Sequence, residues 1–122
     1  MTQPHKSEVQ VLHAEICQAL ADPIRILLLY RLDNRSQSVA ELVDQLAVSQ
    51  PTVSRHLKVL RERGMVYTER HGATVMYSLA DHRVIQALDL MRCVMTDTLD
   101  QKRALVNELI SLEQFGSSEA VS

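Results

Sequence analysis

Residues 38–64 read Ser38-Val39-Ala40-Glu41-Leu42-Val43-Asp44-Gln45-Leu46-Ala47-Val48-Ser49-Gln50-Pro51-Thr52-Val53-Ser54-Arg55-His56-Leu57-Lys58-Val59-Leu60-Arg61-Glu62-Arg63-Gly64. Ser38 with Glu41 three positions on is a capping box, which supplies a hydroxyl to the unpaired N–H groups of a helix start. It opens a short helix over about 39–46 with Leu42, Val43 and Leu46 inward. Ala47-Val48 leaves room only for a tight connection. Ser49 is the next N-cap, and Pro51 suits the first turn, where its missing N–H costs nothing. Val53, Leu57 and Leu60 then form one apolar stripe of a second helix, and Gly64 ends it as the residue that most readily turns left-handed.

Working outward from this pair, Val9, Leu12, Ile16, Ala19 and Leu20 recur at helical spacing and predict a helix over 8–20. Asp22 and Pro23 restart the chain as cap and first turn of another, over 23–33, with Ile24, Leu27, Leu28 and Leu32 inward. Beyond Gly64 the period changes to that of strands. Residues 65–70 and 73–79 are β-prone runs around His71-Gly72, a hairpin pattern. Asp81 caps a last helix marked by Val84, Leu88, Met91 and Met95 and continued by Leu105, Leu109 and Leu112, with Thr96-Asp97-Thr98 a point where it is expected to bend or break. The order is α-α-α-α-β-β-α. It predicts a mainly α fold with a β-hairpin wing, a winged helix-turn-helix over residues 8–113, between a flexible N-terminus (1–7) and a flexible tail (114–122).

On the second helix of the pair, burying the apolar stripe leaves Gln50, Thr52, Ser54, Arg55, Lys58 and Arg61 on outward or flanking faces. Arg suits guanine O6 and N7, Gln suits adenine, and Ser or Thr suits either. Ser49 sits at the helix start, where phosphate is favoured. A solvated polar face explains such residues equally well when the helix is taken alone. The hairpin tip, with Arg70, His71 and Gly72, favours the DNA-reading alternative, because a wing would meet the adjacent groove or backbone there. The formal net charge of −2 and pI of about 6.2 at first oppose a nucleic-acid partner. Taken by region the opposition disappears. Arg55, Lys58, Arg61, Arg63 and Arg70 face only Glu62 and Glu69 across residues 49–76, a net of +3 against −5 for the remainder.

Ala21-Asp22-Pro23-Ile24-Arg25, residues 49–60 and Gly64-Met65-Val66 together resemble the ArsR/SmtB family of bacterial winged-helix repressors, over roughly residues 8–100. The resemblance implies a homodimer through the first and last helices, on a palindromic double-stranded DNA operator with the helix at 49–63 in the major groove. It implies repression, relieved when an inducer, typically a metal or metalloid ion, binds. By the same resemblance Gln50, Thr52, Ser54, Arg55 and His56 are reading residues, with Lys58 nearer phosphate; His56 is alternatively a structural hydrogen-bonder. Apart from the resemblance, the first and last helices carry more apolar surface than one small core can cover, which also points to a two-fold dimer.

The familiar ligand sets do not carry over. Residues 38–42 hold no Cys-x-Cys, and no histidine follows His82 to complete an Asp/His set along the last helix. What remains is Cys17 and Cys93, on the first and last helices, with His13 one turn before Cys17 and Asp89 and Asp97 flanking Cys93. Three readings stand: a site of His13, Cys17 and Cys93 for a thiophilic divalent metal or metalloid ion, a dithiol switch answering oxidants or reactive sulfur species, or two buried small hydrophobes. The number of cysteines, two, is too small for a disulfide framework.

Enzyme chemistry is not expected: no Gly-rich phosphate loop, Gly-x-Ser-x-Gly elbow or His-Glu-x-x-His helix occurs. The longest apolar run, Ile26–Tyr30, falls far short of the roughly 20 residues that span a bilayer, and the first residues lack a signal peptide's apolar core. A cytoplasmic location, with no membrane partner, is the expectation. Two alternatives stay open, a winged-helix regulator whose cysteines are structural and a protein-interaction module built on the long last helix.

Overall fold

A computed structural model describes residues 2–121, with side chains to residue 114. The chain divides into two units at Ile85–Gln86, and each is taken by itself. The first runs α1 (Lys6–Leu12), a π-helical turn (His13–Cys17), α2 (Pro23–Leu32), β1 (Gln37–Ser38), α3 (Val39–Leu46), α4 (Gln50–Glu62), β2 (Val66–His71) and β3 (Thr74–Leu79). The winged helix-turn-helix order expected from the sequence is present, with a third strand added.

The helix ends follow from local chemistry. Ile24 N–H donates to Asp22 Oδ1 at 2.8 Å, and Pro23 occupies the first turn of α2. Glu41 N–H donates to Ser38 Oγ at 3.2 Å, but the Glu41 carboxylate pairs with Arg35 at 2.8 Å, so only half of the capping box forms. Ala47 then takes a left-handed conformation (φ 52°), which turns the chain from α3 towards α4. The Ser49 hydroxyl meets that of Thr52 at 2.8 Å instead of capping a backbone N–H. At the far end of α4, Gly64 (φ +73°) and Met65 donate to the carbonyls of Arg61 and Leu60, a Schellman closure.

The sheet is antiparallel in the order β1-β3-β2. Register runs from Val66 opposite Leu79 to His71 opposite Thr74, so the turn residues are Gly72 and Ala73, one position later than the dipeptide that suggested the hairpin. Gly72 has φ +64° while Ala73 does not turn left-handed, the type II′ pattern. Strand β1 has no sequence pattern of its own; it exists because Gln37 and Ser38 pair with Tyr77 and Met76. Buried Gln37 is satisfied there by the Arg31 carbonyl and the Gln45 amide.

Leu28, Leu29, Leu32, Leu42, Val53, Leu57 and Leu60 form the core, closed by Met65, Val66 and Ile85. Leu27, expected inward, is 42% exposed, and Leu29 is buried in its stead. Ile24 to Leu29 is apolar on nearly every face except at Arg25, so spacing does not select one face; packing against α4 and β3 does.

The second unit is the body of α5 (Arg83–Val121). Arg83 N–H donates to Asp81 Oδ1 at 2.9 Å, the expected cap. No break occurs at Thr96-Asp97-Thr98, where the Thr98 hydroxyl donates to the Val94 carbonyl at 2.8 Å. The helix continues past residue 114, where composition suggested a tail, with no proline to stop it; side chains from residue 115 lie outside the described set. At the other terminus, α1 begins at Lys6, within the stretch 1–7 expected to be flexible.

Candidate nucleic-acid interface

Helix α4 packs against α2, α3 and β2 and turns one face outward. Ser49, Gln50, Arg55 and Lys58 are exposed, and Thr52 and Ser54 are half-buried on its flanks. No side-chain hydrogen bond or ion pair engages Arg55, Lys58 or Arg70 among the described residues. Arg70, His71 and Gly72 stand exposed at the hairpin tip, with His71 Nε2 3.3 Å from the Glu69 carboxylate. Uncommitted cations on a helix face and on a hairpin can take anionic oxygens or base edges at no cost in internal bonds.

His56 does not belong to this face. It is 7% exposed, with Nδ1 3.2 Å from Arg25 Nη1 and Nε2 3.7 Å from Asp22 Oδ1. The structural alternative therefore describes it, and its assignment as a reading residue is corrected. The physical reason is its place between Val53 and Leu57 on the inward stripe, where a polar ring is held only by polar partners. Burial alone would raise the Asp22 pKa. The Ile24 N–H bond, the neighbouring His56 ring and the Arg25 guanidinium outweigh that effect and hold it below the usual carboxylate range.

Arg25 is the residue that sequence reasoning missed. It appeared only as part of a motif, because its partners at Gln18, Ala19 and His56 are set by tertiary packing. His82 Nδ1 meets Asp33 Oδ1 at 2.6 Å, another pair without a sequence signal.

Cys17, at the end of the π turn, and Cys93, on α5, are both exposed in the single chain, so neither is a buried small hydrophobe there. Cys93 lies in a shallow groove with Asp89, Arg92, Met95, Thr96 and Asp97, and the Asp89 carboxylate pairs with Arg92 at 3.3 Å. Among the described residues no three His, Cys, Asp or Glu side chains gather into a metal-holding group. No helix among the described residues is long and apolar enough to cross a membrane.

Residues 22–68 match the model of the arsR family of bacterial regulatory proteins. The HTH-type transcriptional repressor SmtB of Mycobacterium tuberculosis is 44% identical over 81 residues, which cover 66% of this chain and 60% of that protein. Among solved structures, Rv0081 from Mycobacterium tuberculosis is 31% identical with a TM-score of 0.69, over 83% of this chain and 98% of the other. The homodimeric winged helix-turn-helix DNA-binding domain of Mb0332 from Mycobacterium bovis shares the fold at 23% identity and TM-score 0.67, over 83% of this chain and 95% of that one. A helix-turn-helix carrying free cations, a hairpin tipped by Arg70 and His71, and these matches lead to one conclusion: the chain belongs to the ArsR family of bacterial regulatory proteins.

Proposed function

We propose that this chain is a transcriptional repressor, not an enzyme, that binds a palindromic double-stranded DNA operator as a homodimer and releases it when an inducer acts. The observation that carries the reading is the outward face of α4, where Arg55 and Lys58 are exposed and uncommitted, with Arg70 equally free at the hairpin tip. In this reading α4 enters the major groove, Arg55, Gln50, Thr52 and Ser54 read base edges, and Lys58 and Arg70 take phosphates.

Dimerisation is supported by bare apolar side chains. Val9, Val11 and Leu12 are exposed on α1, and Leu90, Met91, Val94, Met95, Leu99, Leu105 and Leu109 on α5. A helix exposed along such a stripe gains little from its own propensity and is stabilised by a partner.

The inducer acts through the exposed thiols of Cys17 and Cys93. They suit a thiophilic metal or metalloid ion whose ligand set is completed by a second protomer, or an oxidising or reactive sulfur species. Both thiols stay reduced by default in a cytoplasmic setting.

The test is fluorescence anisotropy on duplexes from the chain's own promoter region at several salt concentrations. Affinity falling steeply with salt, together with preference for one duplex, is the expected result. No binding at low salt to any promoter fragment refutes the repressor reading. Cys17→Ser and Cys93→Ser variants that release DNA like the wild type, with every ion and oxidant tried, refute sensing through the thiols.

A further inference from the structure

Behind the outward face of α4 lies a polar cluster centred on Arg25, in the first turn of α2. Its Nε donates to the Ala19 carbonyl at 2.7 Å and its Nη2 to the Gln18 carbonyl at 3.0 Å. Both carbonyls lie at the end of the first helical segment, just past the π turn, where a cation meets the negative end of the helix dipole; that of Gln18 also accepts from Ala21 N–H at 3.2 Å. The third bond goes elsewhere. Nη1 lies 3.2 Å from Nδ1 of His56, in the middle of α4. A guanidinium has donors only, so Nδ1 accepts, the neutral ring carries its hydrogen on Nε2, and that nitrogen faces Asp22 Oδ1 at 3.7 Å. A second tie joins the same two segments, since Arg63, just after α4, pairs with Glu15 in the π turn at 3.0 Å.

We propose that Arg25 and His56 are positioning residues that lock α4 to the end of the first helical segment, so that operator discrimination depends on a pair that never touches DNA. The inference rests on the reading of α4 as the helix that enters the groove. Arg55 and His56 are adjacent, one exposed and one buried, so any rotation of α4 that moves the ring swings the guanidinium of Arg55 by the same angle. With a reach of about 8–9 Å from the helix axis, a rotation of about 20° carries that guanidinium about 3 Å, a whole hydrogen-bond length. The stripe of Val53, Leu57 and Leu60 resists such a rotation only through packing, which is non-directional. The bonds at His56 supply the direction. Through Gln18 and Ala19 the same bonds make the pose of α4 answer to displacement of the first helical segment, whose π turn ends at Cys17.

The test compares full-length wild type with His56→Asn, His56→Gln and Arg25→Met. The DNAs are a duplex selected by the wild type from a random library and a scrambled duplex. Asn places an amide oxygen where Nδ1 sits and keeps the acceptor for Arg25; Gln places its amide where Nε2 sits and leaves Arg25 without one. The Asn variant is expected to keep the wild-type preference for the selected duplex. The Gln and Met variants should lose about tenfold or more of it, within the range of ordinary coupling between sites, with scrambled-duplex affinity unchanged. Should Arg25→Met fail to fold, Arg25→Lys, which cannot reach all three acceptors, carries the same expectation. Equal loss in Asn and Gln variants, or no loss in Gln and Met, overturns the proposal. Amide hydrogen exchange gives a readout without DNA: residues 50–58 should exchange faster in the Gln and Met variants, and unchanged rates overturn the lock. A wild type that selects no duplex defeats the repressor reading, and the exchange measurement then decides the lock by itself.

Discussion

Replacing Arg55 with alanine separates base reading from every other role open to a cation on α4. In the free chain Arg55 is exposed and its side chain makes no hydrogen bond or ion pair among the described residues. Its removal therefore costs only a solvated side chain, and the unfolding free energy should change by no more than about 0.5 kcal/mol. In the complex a bidentate arginine–guanine contact contributes about 1–3 kcal/mol of discrimination. A homodimer makes that contact in both half-sites, so preference for the operator should fall by about 2–6 kcal/mol, roughly 30-fold to beyond ten-thousand-fold. Anisotropy titrations of an operator duplex and a scrambled duplex at one salt concentration measure it, with urea denaturation of the free proteins alongside. Equal losses on both duplexes, with a salt slope reduced by about 1 per lost contact, would make Arg55 a phosphate ligand and refute base reading. A stability loss well above about 0.5 kcal/mol would refute the claim that the side chain is uncommitted.

Three further predictions concern the scaffold. Leu57 is fully buried, so Leu57→Ala should cost about 2–5 kcal/mol in urea denaturation, a large part of the roughly 5–15 kcal/mol that holds a domain folded. Gly64→Ala meets no atom within 4 Å, so its cost comes from the left-handed backbone (φ +73°) alone, about 1 kcal/mol by the same measurement, and a loss beyond about 3 kcal/mol would mean a steric clash instead. The side-chain and backbone hydrogen bonds to Arg83 hold the Asp81 carboxyl at about 2, below its ordinary 3.8. A lowered folded value stabilises fully above the unfolded one, so this contribution fades as pH falls from 3.8 to about 2. Asp81→Asn should flatten the stability curve in that window, and parallel curves for wild type and variant would show that the pair contributes nothing to folding.

Much of the scaffold is legible because its causes are local. The caps at Asp22, Ser38 and Asp81 each reach a backbone N–H within three residues, and Gly64 and Gly72 turn where the chain must turn left-handed. The stripe of Val53, Leu57 and Leu60 stands out because α4 is polar on its other side. The exposed polar face is legible for the same reason, as what remains when the stripe is buried. Ser49 shows the limit even at short range: a suitable cap residue whose hydroxyl takes the Thr52 side chain.

By itself, then, the sequence determined the helix starts and stops, the hairpin and the outward set on α4, all through contacts a few residues long. Only the tertiary structure decided that His56 turns inward, because its partners Arg25 and Asp22 lie 31 and 34 positions away along the chain. It likewise chose Leu29 over Leu27 for the core, since a segment apolar on nearly every side takes its inward face from its neighbours. It also made a strand of Gln37 and Ser38, whose reason to be extended is the open edge of β3 beside Met76 and Tyr77.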